Sequence, residues 1–405
     1  MLMLKMACRN IFRHTRRSIL TSMSMIAGFS LAVIFIGWSD GAYNNIIETF
    51  TANRLGHIQI HEKNYLERPS LYKTIEEIPR IKEILSQIEE VQSWAPRLFS
   101  SGLVSIEDKS ASVRIIGIDP QKETATTHFD KKIIEGRKFS PSPSHEAIIG
   151  KGLAKILKAE IDDEIVIISQ AADGSIANDL YTIIGFSSSG DDVSDRISFY
   201  LHLKDAQELL VLDGRIHEIA ITIDHLSQVS RITRLIEMNL DNPELEVEPW
   251  QVFAKSFYQA MQADKQGMWI MLVIIVVIVA VGVLNTVLMS VLERRREYGL
   301  LKAVGTKPKD IIRLVLLEVT VLAGASILLG ALLGFGANTL LSNHGIKFGE
   351  GFTYGGMTFD TMYSEVNTRS FLIPALTVLL CSTLVSLYPS LKAARTDPAK
   401  TMRMH

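Results

Sequence analysis

The sequence has only two cysteines among its 405 residues, Cys8 and Cys381. Neither lies in the segment 42–267, so that segment folds without a disulfide bond. The sequence also lacks a nucleotide-binding loop of the form Gly-x-x-x-x-Gly-Lys-Ser/Thr, a zinc-protease helix motif and a nucleophile elbow. We therefore expect no catalytic residues, no metal, no cofactor held by this chain and no nucleic acid partner.

Long apolar runs dominate what is present. The chain is 47% hydrophobic with a mean hydropathy of +0.20, too apolar for an ordinary soluble enzyme, yet 21% of its residues are charged. Four apolar runs approach or exceed the roughly 20 residues that a helix needs to cross a hydrocarbon core. The predicted transmembrane helices are 19–41, 268–292, 311–341 and 371–388.

Charge along the chain predicts the orientation of these helices. Basic residues precede the first run, fill the segment between the second and third, and follow the fourth, whereas residues 39–267 carry about 24 basic and 36 acidic residues. Because Lys and Arg accumulate on the cytoplasmic side of membrane spans, we expect both termini to be cytoplasmic. The segment 42–267 is then a large extracytoplasmic domain.

These observations predict a multi-pass α-helical membrane protein with four transmembrane helices and a large extracytoplasmic α/β domain between helices 1 and 2. Strand and helix periods in that domain favour a split α/β base, about 54–118 and 215–250, with a β-rich insert at about 119–214 and helical stalks at both ends. The remaining predicted segments are a cytoplasmic interfacial helix (1–18), a cytoplasmic segment (293–310), an extracytoplasmic loop (342–370) and a cytoplasmic tail (389–405).

Two histidines, His57 and His61, invite a metal-site interpretation. On one strand they share a face but lie about 13 Å apart, too far to bind one ion. We therefore interpret them as part of an exposed strand face.

The cytoplasmic segment 293–310 mixes charged side chains with apolar ones on helical spacing, including Tyr298, Leu300, Leu301 and Val304. A partner protein can grip the apolar residues while the charges set the register. The alternative is a basic loop that only sets topology, but apolar residues presented to the cytoplasm favour docking.

The third apolar run contains a Gly-x-x-x-Gly pair at Gly330 and Gly334. Small residues at this spacing permit close approach of two helices. The spacing fits contact within one chain and contact between subunits equally well.

Three motifs together resemble the permease subunits of ABC transporters of the lipoprotein-releasing and macrolide-exporter type, which are related to the division protein FtsX. The first is ERRREYGLLKAVG at 293–305, followed by Glu318, which is similar to the family's coupling segment. The second is YPSLKAARTDPAKTMR at 388–403, similar to its C-terminal signature, and the third is RNIFR at 9–13, similar to its N-terminal entry.

The resemblance implies a non-catalytic permease in the bacterial inner membrane, paired with a second permease, identical or related, and with a dimer of a cytoplasmic ATPase that binds the ATP. The coupling residues carried over from the motif are Glu293, Arg294, Arg295, Arg296, Glu297, Gly299, Leu301, Lys302, Ala303 and Gly305. In the family, the ATPase moves this segment and the stalks relay the movement to the periplasmic domain.

Within the family, the segment GHIQIH at 56–61 and the compact outer domain resemble lipoprotein-release permeases most, which implies release of lipidated proteins to a periplasmic carrier. One departure is that the region 169–180 is short and lacks the proline of the carrier-recruiting hairpin, which argues against direct recruitment. Two alternatives stay open: an efflux permease working with an adaptor and an outer-membrane duct, and an FtsX-like regulator of a cell-wall hydrolase. The substrate and the choice between homodimer and heterodimer are not encoded in any motif.

Overall fold

The structure is a computed structural model that describes residues 2–13, 15–354 and 357–396. The helices are α1 (Leu2–Arg13), α2 (Thr15–Phe50), α3 (Ile78–Ser86), α4 (Pro120–Thr127), α5 (Lys151–Leu157), α6 (Asp192–Asp195), α7 (Leu203–Leu210), α8 (Val229–Leu240), α9 (Trp250–Phe253), α10 (Lys255–Glu293), α11 (Arg295–Ala303), α12 (Pro308–His344) and α13 (Thr368–Ala394). The strands are β1 (Ile58–Glu62), β2 (Val91–Ile106), β3 (Lys109–Ile118), β4 (Ile133–Gly136), β5 (Glu146–Gly150), β6 (Glu164–Gln170), β7 (Ile176–Ser187), β8 (Ser198–His202), β9 (Glu218–Ile223), β10 (Leu245–Pro249), β11 (Ile346–Tyr354) and β12 (Met357–Met362). Two units follow from the packing: a helical unit (1–45, 261–348 and 361–405) and an α/β unit (46–260 and 349–360).

Four helices in the described part of the chain are long and apolar enough to cross a membrane: α2, α10, α12 and α13. Each contains one of the predicted spans. All four extend beyond the predicted spans. Helices α2 and α10 continue into the predicted stalks, α12 reaches His344, and α13 reaches Ala394, so the predicted tail begins inside a helix. Hydropathy marks only the lipid-compatible part of a helix, and the charged turn around Lys392 extends past it. Residues 397–405 of that tail lie outside the described residues.

The ends of these helices follow local rules. Helix α12 begins with Pro308, whose missing N–H is not needed in the first turn, and ends before Gly345, which has a φ of 65°. Helix α13 is capped by Asn367, whose Oδ1 accepts the N–H of Ser370 at 2.8 Å.

Helices α2 and α12 pack closely inside the helical unit because α12 presents glycines to α2. A Cβ atom added at Gly330 would lie 2.7 Å from Cδ1 of Phe29, and one added at Gly334 would lie 2.7 Å from Cγ1 of Val33. The Ser30 hydroxyl donates to the Gly330 carbonyl at 3.1 Å across the same contact. The structure thus uses both glycines for contact within one chain, one of the two possibilities that the spacing left open.

Replacing Gly330 or Gly334 by alanine should therefore destabilise the helical unit by about 1–3 kcal/mol, the usual cost of overpacking. Gly336 is the matched control, because an added Cβ there meets nothing within 4 Å and alanine favours the helix. Thermal unfolding of the full chain in a mild detergent measures this difference. Equal stability of the Gly330 and Gly336 variants would show that the helices are not held at this distance.

The predicted stalks are helical where they belong to the α/β unit. The last turn of α2 presents Phe50, and its ring stacks on that of Phe257 in α10, with centroids 3.9 Å apart and planes at 7°. After α2 the backbone continues as a short π-helix, Thr51–Leu55, that ends at Gly56 with a φ of 82°. The stacking of Phe50 on Phe257 therefore holds the first and last helical segments of the α/β unit in contact.

One ten-stranded sheet forms the α/β unit, with β10, β1, β9, β2, β3, β8, β5, β7 and β4 side by side in that order. The tenth strand, β6, pairs with β2 and β7. Most pairs are antiparallel, and β3–β8 and β5–β7 are parallel. Helices α3 and α8 contact each other, and α8 packs on β10, whereas α7 packs on β2, β3 and β7.

The long strand β2 joins the two predicted parts of this unit. Its first half pairs with β9, and its second half pairs with β3 and β6. The strands of 119–214 therefore continue the sheet formed by the flanking segments. The sequence of β2 does not show the alternation of apolar and polar residues that is typical of a strand, because Pro96 and the segment 100–102 interrupt it.

The segment 342–370 was predicted as a loop but contains the two-stranded sheet β11–β12. Residues 355 and 356 between these strands lie outside the described residues. The sequence of β11 places Lys347 and Glu350 among glycine and aromatic residues. It shows no clear alternation of apolar and polar residues, so the strands were not predicted.

Candidate functional site

The segment between α10 and α12 folds as a short helix with defined breaks at both ends. Helix α10 ends at Glu293, Arg294 leaves the helical conformation, and α11 begins at the next residue. After α11 the chain turns at Gly305, whose φ of 99° is strained for any residue with a side chain. Gly305 therefore allows α12 to begin only a few residues after α11 ends.

Arg294 anchors this segment to the helical unit through a buried ion pair. Its side chain is only 5% exposed, and Nη1 donates to both carboxylate oxygens of Glu318 in α12, at 3.1 and 2.9 Å. Nε donates to Glu297 at 2.9 Å, and the guanidinium lies over the Tyr298 ring, 5.1 Å from its centroid. Charge-assisted hydrogen bonds of this kind fix geometry strongly.

The N-terminal helix joins the same ion pair. The side-chain amide of Asn10 in α1 donates to Oε1 of Glu318 at 2.6 Å. Ala7 of α1 is fully buried, while Phe12 is exposed, so α1 packs on the helical unit with one face. Glu318 thereby connects three helices: α1, α12 and the start of α11.

The inward face of α11 completes the attachment. Tyr298 is buried in a cluster with Ile311 and Val315 of α12, and Leu301 packs against that cluster. At the other end of α11, the ammonium group of Lys302 donates to the carbonyls of Ala394 and Thr396, at 3.0 and 2.8 Å. Lys302 thus satisfies carbonyl groups that the end of α13 leaves open.

The opposite face of α11 is exposed and apolar. Leu300 and Val304 lie one turn apart and are 59% and 81% exposed. Their surroundings are charged, with Arg295, Arg296 and Lys307 also exposed. We call Leu300, Val304 and these charged neighbours the outer face of α11. Apolar side chains framed by positive charge are typical of a protein contact surface.

The ten predicted coupling residues divide between these two faces. Arg294 and Gly299 are buried, and Leu301, Lys302 and Glu297 are half-buried. The exposed ones are Glu293, Arg295, Arg296, Ala303 and Gly305. The structure therefore assigns part of the predicted segment to internal attachment and part to an accessible surface.

The contact between Asn10 and this segment was not predicted from the sequence, and no partner was predicted for Glu318. Glu318 was visible as a carboxylate in an otherwise apolar run, which is rare unless the group is paired. Asn10 offered no signal, because its contact joins residues 308 positions apart.

The exposed strand face predicted for His57 and His61 is wrong, because both side chains are buried. Nδ1 of His57 accepts the N–H of Ile223 at 3.0 Å, and Nε2 of His61 lies 3.3 Å from a carboxylate oxygen of Glu218. The flanking strands β9 and β10 cover β1 on both edges, which a single strand pattern does not reveal. Within the described ranges no group of three or more His, Cys, Asp or Glu residues is arranged to hold a metal ion.

A buried ionic network lies beside these histidines in the α/β unit. Arg97 donates to Glu123 at 2.6 Å and to Glu218 at 2.8 Å. Burial alone would raise the pKa of both carboxyl groups, but contacts with Arg97 lower the pKa of Glu123, and contacts with His61 and Arg97 lower that of Glu218. The network holds α4, β2 and β9 together.

His57 makes the stability of the α/β unit depend on pH. Burial lowers the pKa of His57 to about 4, and its Nδ1 already accepts a backbone N–H, which favours the neutral ring. The unfolded chain takes up a proton near pH 6.5, so stability is present above that pH and is lost as the pH falls from 6.5 to 4. The expected loss is about 3 kcal/mol for this residue.

His57→Asn should reduce this loss, because the amide oxygen can accept the same N–H and does not titrate. Exposed His225 provides the matched control, His225→Asn. The urea midpoint of the full chain, followed by tryptophan fluorescence at pH 7 and pH 4.5, measures the effect. An equal decrease in wild type and His57→Asn would contradict it.

Two family models match the chain. The model for a MacB-like periplasmic core domain matches residues 18–237, and the model for an FtsX-like permease C-terminal region matches residues 269–398. The first covers more than half of the chain, and the second contains the whole segment around α11.

Curated relatives of two kinds are similar to the chain. The lipoprotein-releasing system transmembrane protein LolC of Neisseria meningitidis serogroup B is 22% identical over 321 residues, 76% of this chain and 77% of that protein. The macrolide export ATP-binding/permease protein MacB of Acinetobacter baylyi is 20% identical over 417 residues, 98% of this chain but 59% of that protein. The crystal structure of the periplasmic region of MacB from Actinobacillus actinomycetemcomitans superposes with a TM-score of 0.37 at 17% identity, over 50% of this chain and 93% of that one.

Proposed function

The chain belongs to the family of ABC transporter permeases with a MacB-like periplasmic core domain and an FtsX-like C-terminal region, and we propose that it converts ATP hydrolysis by a separate cytoplasmic ATPase into movement of its α/β unit. ATP is bound by the ATPase, and this chain contributes no catalytic group and no cofactor. It works as a pair, with a second copy or a related permease, on a dimer of the ATPase.

The outer face of α11 is the observation that carries this proposal. Leu300 and Val304 are exposed for docking, while Arg294 and Lys302 attach the same helix to α12 and to the end of α13. A partner that pulls on α11 therefore pulls on two membrane helices, because buried ion pairs and capping contacts resist separation. The segment 293–305 acts as the coupling element in this account.

The membrane arrangement is part of the proposal. The basic segments around α1, α11 and the end of α13 lie in the cytoplasm with both termini, and the α/β unit lies in the periplasm, consistent with the distribution of Lys and Arg. Helices α2 and α10 each contribute residues to both units, so they are the elements that carry movement across the bacterial inner membrane.

The proposed substrate class is lipidated protein released from the outer leaflet of the inner membrane. The support is that the LolC relatives align with this chain over similar shares of both lengths, 76% and 77% in the first of them. The alternative is efflux with an adaptor and an outer-membrane duct, which the alignment of MacB relatives over 98% of this chain favours. Those relatives are longer proteins, since the chain spans 59% of their length.

Mass spectrometry of everything bound to the tagged chain, purified in a mild detergent, distinguishes the two. The proposal expects an ATPase, a second permease where the pair is mixed, and triacylated proteins. An ATPase with a periplasmic adaptor and an outer-membrane duct would support efflux instead. Recovery of the intact chain without any ATPase would contradict the coupling proposal itself.

A further inference from the structure

A cavity of about 120 Å³ lies within the α/β unit, beside strands β2, β3 and β8. It is far in sequence from α11 and lined by residues of the α/β unit alone, so its role does not depend on ATPase docking. The cationic side chains that line it are Arg54, Arg97, Arg114 and Lys132, and the carboxylates are Glu123 and Glu218. The wall therefore carries two positive charges in excess, inside a segment that is acidic overall.

Two of these cations are already paired. Arg97 holds both carboxylates of the wall, and Arg54 lies 3.1 Å from Asp191. Lys132 and Arg114 have no carboxylate oxygen within 4.0 Å in the part of the chain that the structure describes. The ammonium group of Lys132 lies 3.5 Å from the Thr127 hydroxyl and 5.9 Å from the centroid of the Phe129 ring.

Lys132 is held in surroundings that disfavour its charge. Burial lowers its pKa to about 8, against the attraction of Glu123 and together with the repulsion of Arg97 and Arg54. At neutral pH it remains mostly protonated. A bound anion would relieve the repulsion among these cations.

The rest of the wall is largely apolar. Phe99, Ile116, Ile118, Phe129 and Ile197 line it, and the Arg114 guanidinium lies over the Phe99 ring, 4.3 Å from its centroid. The hydroxyl-bearing residues Ser194, Ser198 and Tyr200 line it as well. A ligand that fits such a wall has a compact anionic group and a hydrocarbon part.

We propose that this cavity binds a phosphate group with a short hydrocarbon substituent, and that Lys132 and Arg114 hold the phosphate. Arginine and lysine together suit a multiply charged oxyanion with several acceptor oxygens. The phosphate comes either as the free anion or as part of a lipid head group, and the apolar wall favours the second source.

Isothermal titration calorimetry of the full chain in a nonionic detergent tests the site with ethyl phosphate, inorganic phosphate and ethanol as probes. Ethyl phosphate should bind saturably, about tenfold more tightly than inorganic phosphate, and ethanol should not bind. Lys132→Gln and Arg114→Gln should each weaken the binding of ethyl phosphate at least about tenfold. Exposed Lys131 supplies the matched control, since Lys131→Gln removes a neighbouring charge that does not line the cavity.

Equal affinity for ethyl phosphate and inorganic phosphate would overturn the hydrocarbon part and assign the cavity to the free anion. Absence of saturable binding, or an equal loss in Lys131→Gln and Lys132→Gln, would overturn the site altogether. A second measurement concerns Lys132 itself. The affinity for ethyl phosphate should fall between pH 7.5 and 9.5, because Lys132 loses its proton there while the phosphate group is already dianionic. Lys132→Gln should reduce this fall. Identical pH profiles would remove Lys132 from the site.

Discussion

Replacing Leu300 and Val304 together by aspartate should reduce the amount of ATPase that co-purifies with the chain at least about tenfold. Both side chains are exposed on the outer face of α11 and make no contribution to the buried cluster around Tyr298. Central apolar residues of an interface commonly contribute 1–2 kcal/mol or more each, and 1.4 kcal/mol corresponds to tenfold in affinity. Quantitative mass spectrometry of the purified complex measures the ratio of ATPase to permease.

The matched control is Met238→Asp, which introduces the same charge at a 78% exposed apolar residue of α8 in the α/β unit. It should leave the ratio unchanged. Leu301→Asp is less informative, because Leu301 packs against the buried cluster and its loss disturbs the attachment of α11 as well. A normal ratio in the Leu300 and Val304 double variant would show that the partner docks elsewhere.

Replacing Glu318 by leucine should destabilise the helical unit by about 3–5 kcal/mol. It should also lower ATP hydrolysis by the reconstituted complex to the rate of the ATPase alone. The change leaves the Arg294 guanidinium buried without its main carboxylate partner, and among the described residues it keeps Glu297 and the Tyr298 ring as contacts. Removing one member of a buried ion pair typically has a cost of this size. Arg294→Met should cost less, because an isolated carboxylate can take up a proton whereas a guanidinium cannot lose one.

A double-mutant cycle separates the pair from its surroundings. The double variant Arg294→Met with Glu318→Leu should recover much of the stability lost in Glu318→Leu, because apolar replacements of both partners leave no buried charge. Thermal unfolding in detergent gives stability, and ATP hydrolysis by the reconstituted complex gives coupling. Additive losses in the double variant would mean that the two residues act independently.

The four long apolar helices of the described part of the chain were predictable, because each needs a long apolar run that few other structures require. Their ends were not predictable from hydropathy, as the charged end of α13 shows. In the α/β unit, the strand predicted around His57 and His61 is confirmed, since β1 covers 58–62. Strand β2 was missed, although it joins the whole sheet, because its pairing with β9, β3 and β6 is decided by distant sequence.

The coupling segment was visible in the sequence as a mixture of charge and apolar residues, but its two faces were not separated. Helical geometry places Tyr298 and Leu301 on one face and Leu300 and Val304 on another, and only the packing of α12 decides which face is inside. Arg294 was predicted only as one of the coupling residues, without a partner. Its burial depends on Glu318, 24 residues later on another helix, a long-range contact that no local pattern contains.

Photo-crosslinking from α11 tests the central claim most directly. A photoreactive amino acid placed at residue 304, in cells that express the full chain, should capture a nucleotide-binding ATPase identified by mass spectrometry, and the same group at residue 238 should not. The account predicts a crosslink at 304 that disappears in the Leu300→Asp background. Capture of no ATPase at 304, while ATPase still co-purifies with the chain, would contradict the assignment of α11 as the docking element.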